Sequence, residues 1–570
     1  MRKSTGLMVI VVLLGMACSG LCDQKESSDA EAVFDAYFRE IMRRSPEAAT
    51  KLGIPEALKV EYKRDGLTDS SIRAKDEIYD LYRKIRTQLR ALKRESLTPS
   101  EALQTDVLLW HLDNQLDGEK YRYHSYIVSH MFGLHYEFTS LMTEEHPIES
   151  MQDAQDYITR LARLPKKIDQ YIEQIKVKQE KGLIPPKIIF ERTENQMREF
   201  IKPEVTKNPL YTTFNARLEK LESLGDADRK KLLAKAEKRI RKSVYAAYAK
   251  YADFLAGLRS KTTDEAGVWK LPDGGNYYLH CLKTQTTTSL TAEEIHQIGL
   301  KEVARIHEEM RKILKDLGIT EGATMNEMLA RYREKYRSEI YYPDTEESRK
   351  QVLKDYQKFI DDVSKKLPKY FSLIPKTPVA VKPIPAYKGA LPPHYEPAPL
   401  DGSREGVFYA SISNPSLYPN TGMQTLTYHE AIPGHHFQIA IERESPHSHI
   451  VRNVVFFNGY VEGWALYAEK LAQEEDWFET PHARLSNLGS ELLRAVRLVL
   501  DTGLHYKKWT REQAFNYMRD NMGWSSYGSI DRYIVWPGQA CGYKIGELKI
   551  LELRERARKA LSDKFDIKDP

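Results

Sequence analysis

Pro433 and Gly434 stand inside the stretch Thr427–Gln438, T-Y-H-E-A-I-P-G-H-H-F-Q, and they limit what the backbone can do there. Proline removes a ladder hydrogen bond and glycine tolerates unusual dihedrals, so a helical turn can bulge there. The same stretch carries His429, Glu430, His435 and His436. In the zinc-hydrolase pattern H-E-x-x-H, two imidazoles one helical turn apart reach a single ion. The glutamate beside the first acts as general base toward water. Here the position four beyond His429 is Pro433, and the return histidine comes six or seven residues on. Along a straight helix those steps cover about 9 Å and about 10 Å, too far for two ligands that must each lie about 2 Å from one zinc. A bulge at Pro433-Gly434 brings the second histidine back. His435 is the preferred ligand and His436 the fallback; a histidine-rich kink without metal is the bland alternative.

Two histidines and one carboxylate leave zinc a position for water. The segment Gly459–Glu469, G-Y-V-E-G-W-A-L-Y-A-E, supplies the acid. Glu462 sits among apolar and aromatic residues, where an unpaired carboxylate is costly to bury and a metal ion would relieve that cost. An ion-pair role alone is the alternative. Glu469, two turns further, reads as a structural partner of the centre. Downstream, Asp501 and His505 are four apart on a helical pattern, a spacing that lets Asp501 orient His505 as a donor to a developing oxyanion. Arg532, Tyr533 and Tyr543 are further candidates for holding a tetrahedral intermediate or a substrate carboxylate. For each of these residues a structural role is the competing explanation.

A chain of 570 residues exceeds one ordinary core, so two or more lobes are expected. Charged residues make up 29% but the net charge is only +5, which argues against a nucleic-acid partner, since that calls for a concentrated basic face. Met1–Cys22 reads as an export signal: Arg2 and Lys3, the apolar run Leu7–Met16, then small residues. The run is too short to anchor as a spanning helix, and Cys18 or Cys22 is a candidate for lipidation. Beyond it remain Cys281 and Cys541, able in number to form one disulfide.

Residues 30–373 carry helical signals. Thr98–Glu101 and Thr291–Glu294 are capping boxes, Tyr157–Ile175 is a buried stripe that Pro165 kinks or splits, and Lys231–Leu258 reads as one long helix. At Ile374 the texture changes: ten of the 27 prolines fall between Pro375 and Pro419. Val379–Val381 and Gly406–Ser413 read as short strands. The second leads into the His-Glu helix, where it either offers a free edge to an extended peptide or merely braces that helix. The organisation read from the chain is a signal over 1–22, a helical substrate-cleft lobe over 23–374 and a catalytic lobe over 375–570. The fold class is mainly α, a two-lobed multi-helix arrangement with a small sheet beside the metal-binding helix.

The motifs H-E-A-I-P-G-H-H-F-Q, E-G-W-A-L-Y-A-E, D-T-G-L-H and W-P-G-Q-A-C-G-Y-K-I-G together resemble the bacterial DUF885 family, as do L-P-D-G-G-N-Y-Y and L-T-A-E-E-I-H-Q-I-G upstream. The likeness runs from about residue 30 to the C-terminus. The family in turn resembles helical zinc peptidases of the gluzincin type, whose third ligand is a glutamate on a following helix; that analogy maps the second ligand onto His435. The resulting expectation is an exported zinc metallopeptidase acting on short peptides, either periplasmic or anchored as a lipoprotein. His429, His435 and Glu462 bind Zn2+, Glu430 is the base, and His505 or Tyr543 stabilises the oxyanion. Two rival expectations are an inactive peptide- or metal-binding lipoprotein and a non-haem iron enzyme, which the same donor set also suits.

Overall fold

The computed structural model describes residues 28–385, 392–445 and 448–568. The export segment, with Cys18 and Cys22, lies outside them. Helices dominate the described residues, as the periodicity predicts. Thr98 and Thr291 cap their helices through the expected reciprocal bonds with Glu101 and Glu294. The apolar stripe lies on one helix, Met151–Glu180, which continues through Pro165. Leu161, Leu164 and Ile168 are fully buried around the proline, and their burial outweighs the missing ladder bond. The long helix expected over 231–258 is instead two, Asp226–Arg239 and Ala246–Leu258, joined by a π-helical turn over Ile240–Tyr245. The largest apolar core joins Phe138, Tyr157 and Tyr248 to Leu492, Val496 and Tyr533, so it draws on both sides of residue 374.

The proline-rich segment does build a sheet. The strands β1 (Val379–Pro383) and β3 (Gly406–Ala410) start where the two predicted segments do, β1 running two residues longer and β3 ending three residues sooner, and β2 (His394–Glu396) adds a third that is too short to show a period. β3 lies in the centre, parallel to β1 and antiparallel to β2. It therefore has no free edge for a peptide, and the bracing role is the one found. Phe408 of β3 is fully buried and meets Tyr356 edge-on at 4.9 Å, which fixes the sheet against the helix Glu346–Ser364.

Two contacts position the helices of the site. The helix Asn458–Glu474 crosses the C-terminal helix Gln539–Leu561 with Gly459 and Gly463 facing Gly546. A Cβ on Gly546 would stand 1.9 Å from the Gly459 carbonyl oxygen, and one on Gly463 would stand 2.5 Å from the Gly546 carbonyl carbon, so the backbones touch directly. The second contact is ionic. Lys544, only 1% exposed, lies 2.7 Å from Glu491, 2.8 Å from Glu547 and 3.3 Å from Glu302. This ties the C-terminal helix to Pro481–His505 and to Ala292–Asp316. Cys281 and Cys541 are both free thiols, so the disulfide that their number permits is not formed. Among the described residues no helix is long and apolar enough to cross a membrane.

Candidate metal centre

The His-Glu helix spans Met423–Glu430, and a separate helix begins at His435. Pro433-Gly434 thus makes a full break, where the sequence suggested a bulge within one helix. The intervening residues fold back over the last turn. A Cβ on Gly434 would lie 1.9 Å from the His429 carbonyl oxygen and 2.4 Å from that of Tyr428, so only glycine fits there. Trp464 Nε1–H donates to the Pro433 carbonyl at 2.9 Å and pins the turn to the following helix. The reversal brings the His435 ring to 4.8 Å from the His429 ring, centroid to centroid, at 80°.

Glu462 completes the cluster. Its Oε2 lies 3.7 Å from His429 Nε2 and 3.4 Å from His435 Nε2. One donor atom from each of the three residues lies within 4.8 Å of the others. Glu462 Oε2 and His435 Nδ1 are buried without a hydrogen-bond partner. A buried carboxylate oxygen facing two imidazole nitrogens is short of a cation. The residues present therefore fit a divalent ion held by two nitrogens and one oxygen, the donor set of a hydrolytic zinc site.

Glu469 sets the histidine. His429 Nδ1–H donates to Glu469 Oε1 at 2.8 Å, which leaves the Nε2 lone pair directed at the cluster. Glu469 is itself held by Ser490 Oγ–H at 3.0 Å and by Arg494 at 3.5 Å. Burial works to lower the His429 pKa, but Glu462 and Glu469 outweigh it and hold it up at about 9. Burial likewise works to raise Glu462, and the facing histidines overcome it, keeping the carboxylate well below its ordinary range. The pocket favours a cation, either a proton or a metal.

His436 is turned away and is not part of the cluster. Its Nε2–H donates to the Thr377 carbonyl and its Nδ1 accepts from the Tyr395 hydroxyl, both at 3.0 Å. Burial pushes its pKa down to about 4, so it is a neutral brace between helix and sheet. Glu430 ends the His-Glu helix beside His429 and is 8% exposed.

His505 requires a correction. Its Nδ1 accepts from the Val268 N–H at 3.1 Å and its Nε2–H donates to the Tyr533 carbonyl at 2.9 Å. With its pKa driven down to about 4 by burial, it has no N–H left for an oxyanion. Asp501 serves other partners: its Oδ1 accepts from the Tyr278 hydroxyl at 2.6 Å and from the Gly538 N–H at 2.9 Å. Arg497 covers the Tyr543 ring at 4.5 Å, and Arg497 in turn feels the Glu462 charge.

Sequence reasoning did not single out Ser490, Arg494 and Arg497. Their steps of four and three residues put them on one face of a helix that is otherwise apolar, and that polar stripe was the available signal. A cleft of about 650 Å³ reaches His429, Glu469 and Arg494, with Tyr341, Leu417 and Trp524 among its walls.

The family described as bacterial protein of unknown function, DUF885, matches residues 46–569. The chain belongs to this family. A solved structure from Colwellia psychrerythraea, titled a "putative lipoprotein", is 31% identical with a TM-score of 0.90, covering 95% of each chain. A second, from Shewanella oneidensis and titled a "putative lipoprotein of unknown function", is 19% identical with a TM-score of 0.70, again over 95% of each chain, and is a likeness of fold. No curated protein matches the chain.

Proposed function

We propose that this DUF885 protein is a zinc-dependent peptidase acting on short peptides. The observation that carries the reading is the convergence of His429, His435 and Glu462, with Glu430 directly beside the first ligand. Zinc, when bound, supplies Lewis acidity toward a carbonyl oxygen and makes water a better nucleophile. His429, His435 and Glu462 hold the ion, and Glu469 keeps His429 in the tautomer that can bind it. Glu430 takes a proton from the attacking water and passes it to the nitrogen of the departing amine. The cleft that reaches His429 has largely apolar walls, which suit a short extended chain better than a folded protein. Export and lipid attachment at the N-terminus are part of the same reading. They are supported by the basic-then-apolar start of the chain and by the lipoprotein titles of both similar structures.

The test is metal content and peptide hydrolysis measured together. Glu430→Gln is expected to keep about one zinc per chain and to lose about 10²–10⁴-fold in rate, whereas His429→Ala loses both. A fully active Glu430→Gln would remove the base. Bound iron in place of zinc would move the centre to non-haem chemistry, and a folded wild type that takes up no metal would overturn the reading.

A further inference from the structure

Two arginines beside Tyr543 are held by neutral partners. Arg497 Nε–H donates to the Tyr533 hydroxyl at 3.3 Å, and its guanidinium lies over the Tyr543 ring. Arg532 donates to Gln539 Oε1 at 2.8 Å and to the Tyr543 hydroxyl at 3.1 Å, while its own Nε is buried with no partner. Both side chains are half-buried. Among the described residues neither makes an ion pair with a carboxylate, in contrast to Arg494, which lies 3.5 Å from Glu469. Tyr533 is 1% exposed and Tyr543 7% exposed, so the phenols hold the guanidiniums in place. Partly desolvated guanidiniums left with neutral partners are costly unless an anion joins them.

Gly463, the residue after Glu462, packs directly on Gly546, three residues beyond Tyr543 on the C-terminal helix. Arg497 stacks on Tyr543, Tyr543 bonds Arg532, and Arg532 lies 5.9 Å from the Trp536 ring. Trp536 is a wall of a second groove of about 580 Å³, where Phe132, 42% exposed, meets it edge-on at 4.5 Å. Tyr126 lines the same groove and its hydroxyl has no partner. A cationic patch thus adjoins the helix crossing next to Glu462 and an aromatic groove.

We infer that Arg497 and Arg532 form a subsite for the terminal carboxylate of the substrate, with the last side chain of the peptide in the groove beside Trp536. This rests on the peptidase reading above and narrows it: the protein removes residues from the C-terminal end and does not cut within long chains. A planar guanidinium fits a carboxylate through two parallel bonds, and two of them suit the doubly acceptor end of a peptide.

The test has a binding arm that needs no turnover. N-acetylphenylalanine and its amide are titrated calorimetrically into the full-length wild type, Arg532→Gln and Arg497→Lys. The acid is expected to bind wild type at least about tenfold more tightly than the amide, from charge-assisted bonds. Arg532→Gln should close that gap, and Arg497→Lys should keep part of it. Thermal melting reports whether each variant is folded, and the wild-type acid-to-amide comparison needs no variant at all. Equal binding of acid and amide by wild type overturns the subsite. In the activity arm, zinc-loaded wild type is given one peptide as free acid and as C-terminal amide. Equal cleavage of the two overturns the subsite but leaves the peptidase reading standing. Cleavage of neither, with the acid still bound selectively, overturns the peptidase reading and leaves an anion site.

Discussion

Glu469 Oε1 stands 2.8 Å from His429 Nδ1, on the opposite side of the ring from the nitrogen that faces Glu462. Glu469→Gln preserves shape and removes the charge that fixes the ring and strengthens its lone pair. Metal affinity is expected to fall about 10–100-fold with the fold intact, as read by competition with a chromophoric chelator. Unchanged affinity would mean that burial alone orients His429.

His435 and His436 are adjacent in sequence and opposite in role. His435→Ala is expected to lose the metal. His436→Ala should keep it but cost about 1–3 kcal/mol, because the Thr377 carbonyl and the Tyr395 hydroxyl lose their buried partner. Elemental analysis beside urea unfolding separates the two, and the reverse pattern would reassign the ligand.

Burial pushes Asp501 up to about 7, and its Oδ2 has no hydrogen-bond partner, the natural seat of the proton. An unfolded aspartate titrates near ~3.9. Between about pH 4 and about pH 7 the folded chain therefore holds a proton that the unfolded chain has released. This contribution is full at the acid end and is lost as pH rises through the folded value. Asp501→Asn keeps an oxygen for Tyr278 and Gly538 and removes the titration. Denaturant unfolding of both proteins should show wild type losing ground to the variant as pH rises across that window. A constant difference would place the proton elsewhere.

Lys544→Met leaves Glu491, Glu547 and Glu302 clustered without their shared cation. Removing one member of such a buried set costs about 3–5 kcal/mol. The expected result is a large drop in the unfolding midpoint at neutral pH. A variant as stable as wild type would show that water or protonation compensates the cluster.

Local chemistry made much of this legible in advance. The capping boxes at Thr98 and Thr291 and the two longer strands depend on neighbours within a few residues, and they stand where the sequence put them. Glu462 was readable as a member of the cluster because few other reasons place a carboxylate in so apolar a segment, while between His435 and His436 the residues supported a preference and not a decision. His505 was misassigned because its partners, Val268 and Tyr533, are remote in sequence, and a helical His four residues from an Asp looks the same whether it faces a site or a core. The break after Glu430 was underestimated for a related reason. The proline and glycine announce a disruption, but its size is set by Trp464 and by the carbonyls of the preceding turn. β3 became an inner strand through a three-residue partner, His394–Glu396, too brief to leave a pattern. The π-helical turn at Ile240–Tyr245 has no signature that we can name.

The glycine crossing of Asn458–Glu474 with Gln539–Leu561 bears on how such a chain tolerates change. Where two helices meet through side chains, each substitution at the seam shifts their separation, and a ligand carried on one of them drifts. Here main chain rests on main chain one residue from Glu462, so the spacing is independent of what the neighbouring side chains become. Sequence can wander widely around the centre while the ligand stays in register, provided that these few positions never acquire a methyl group.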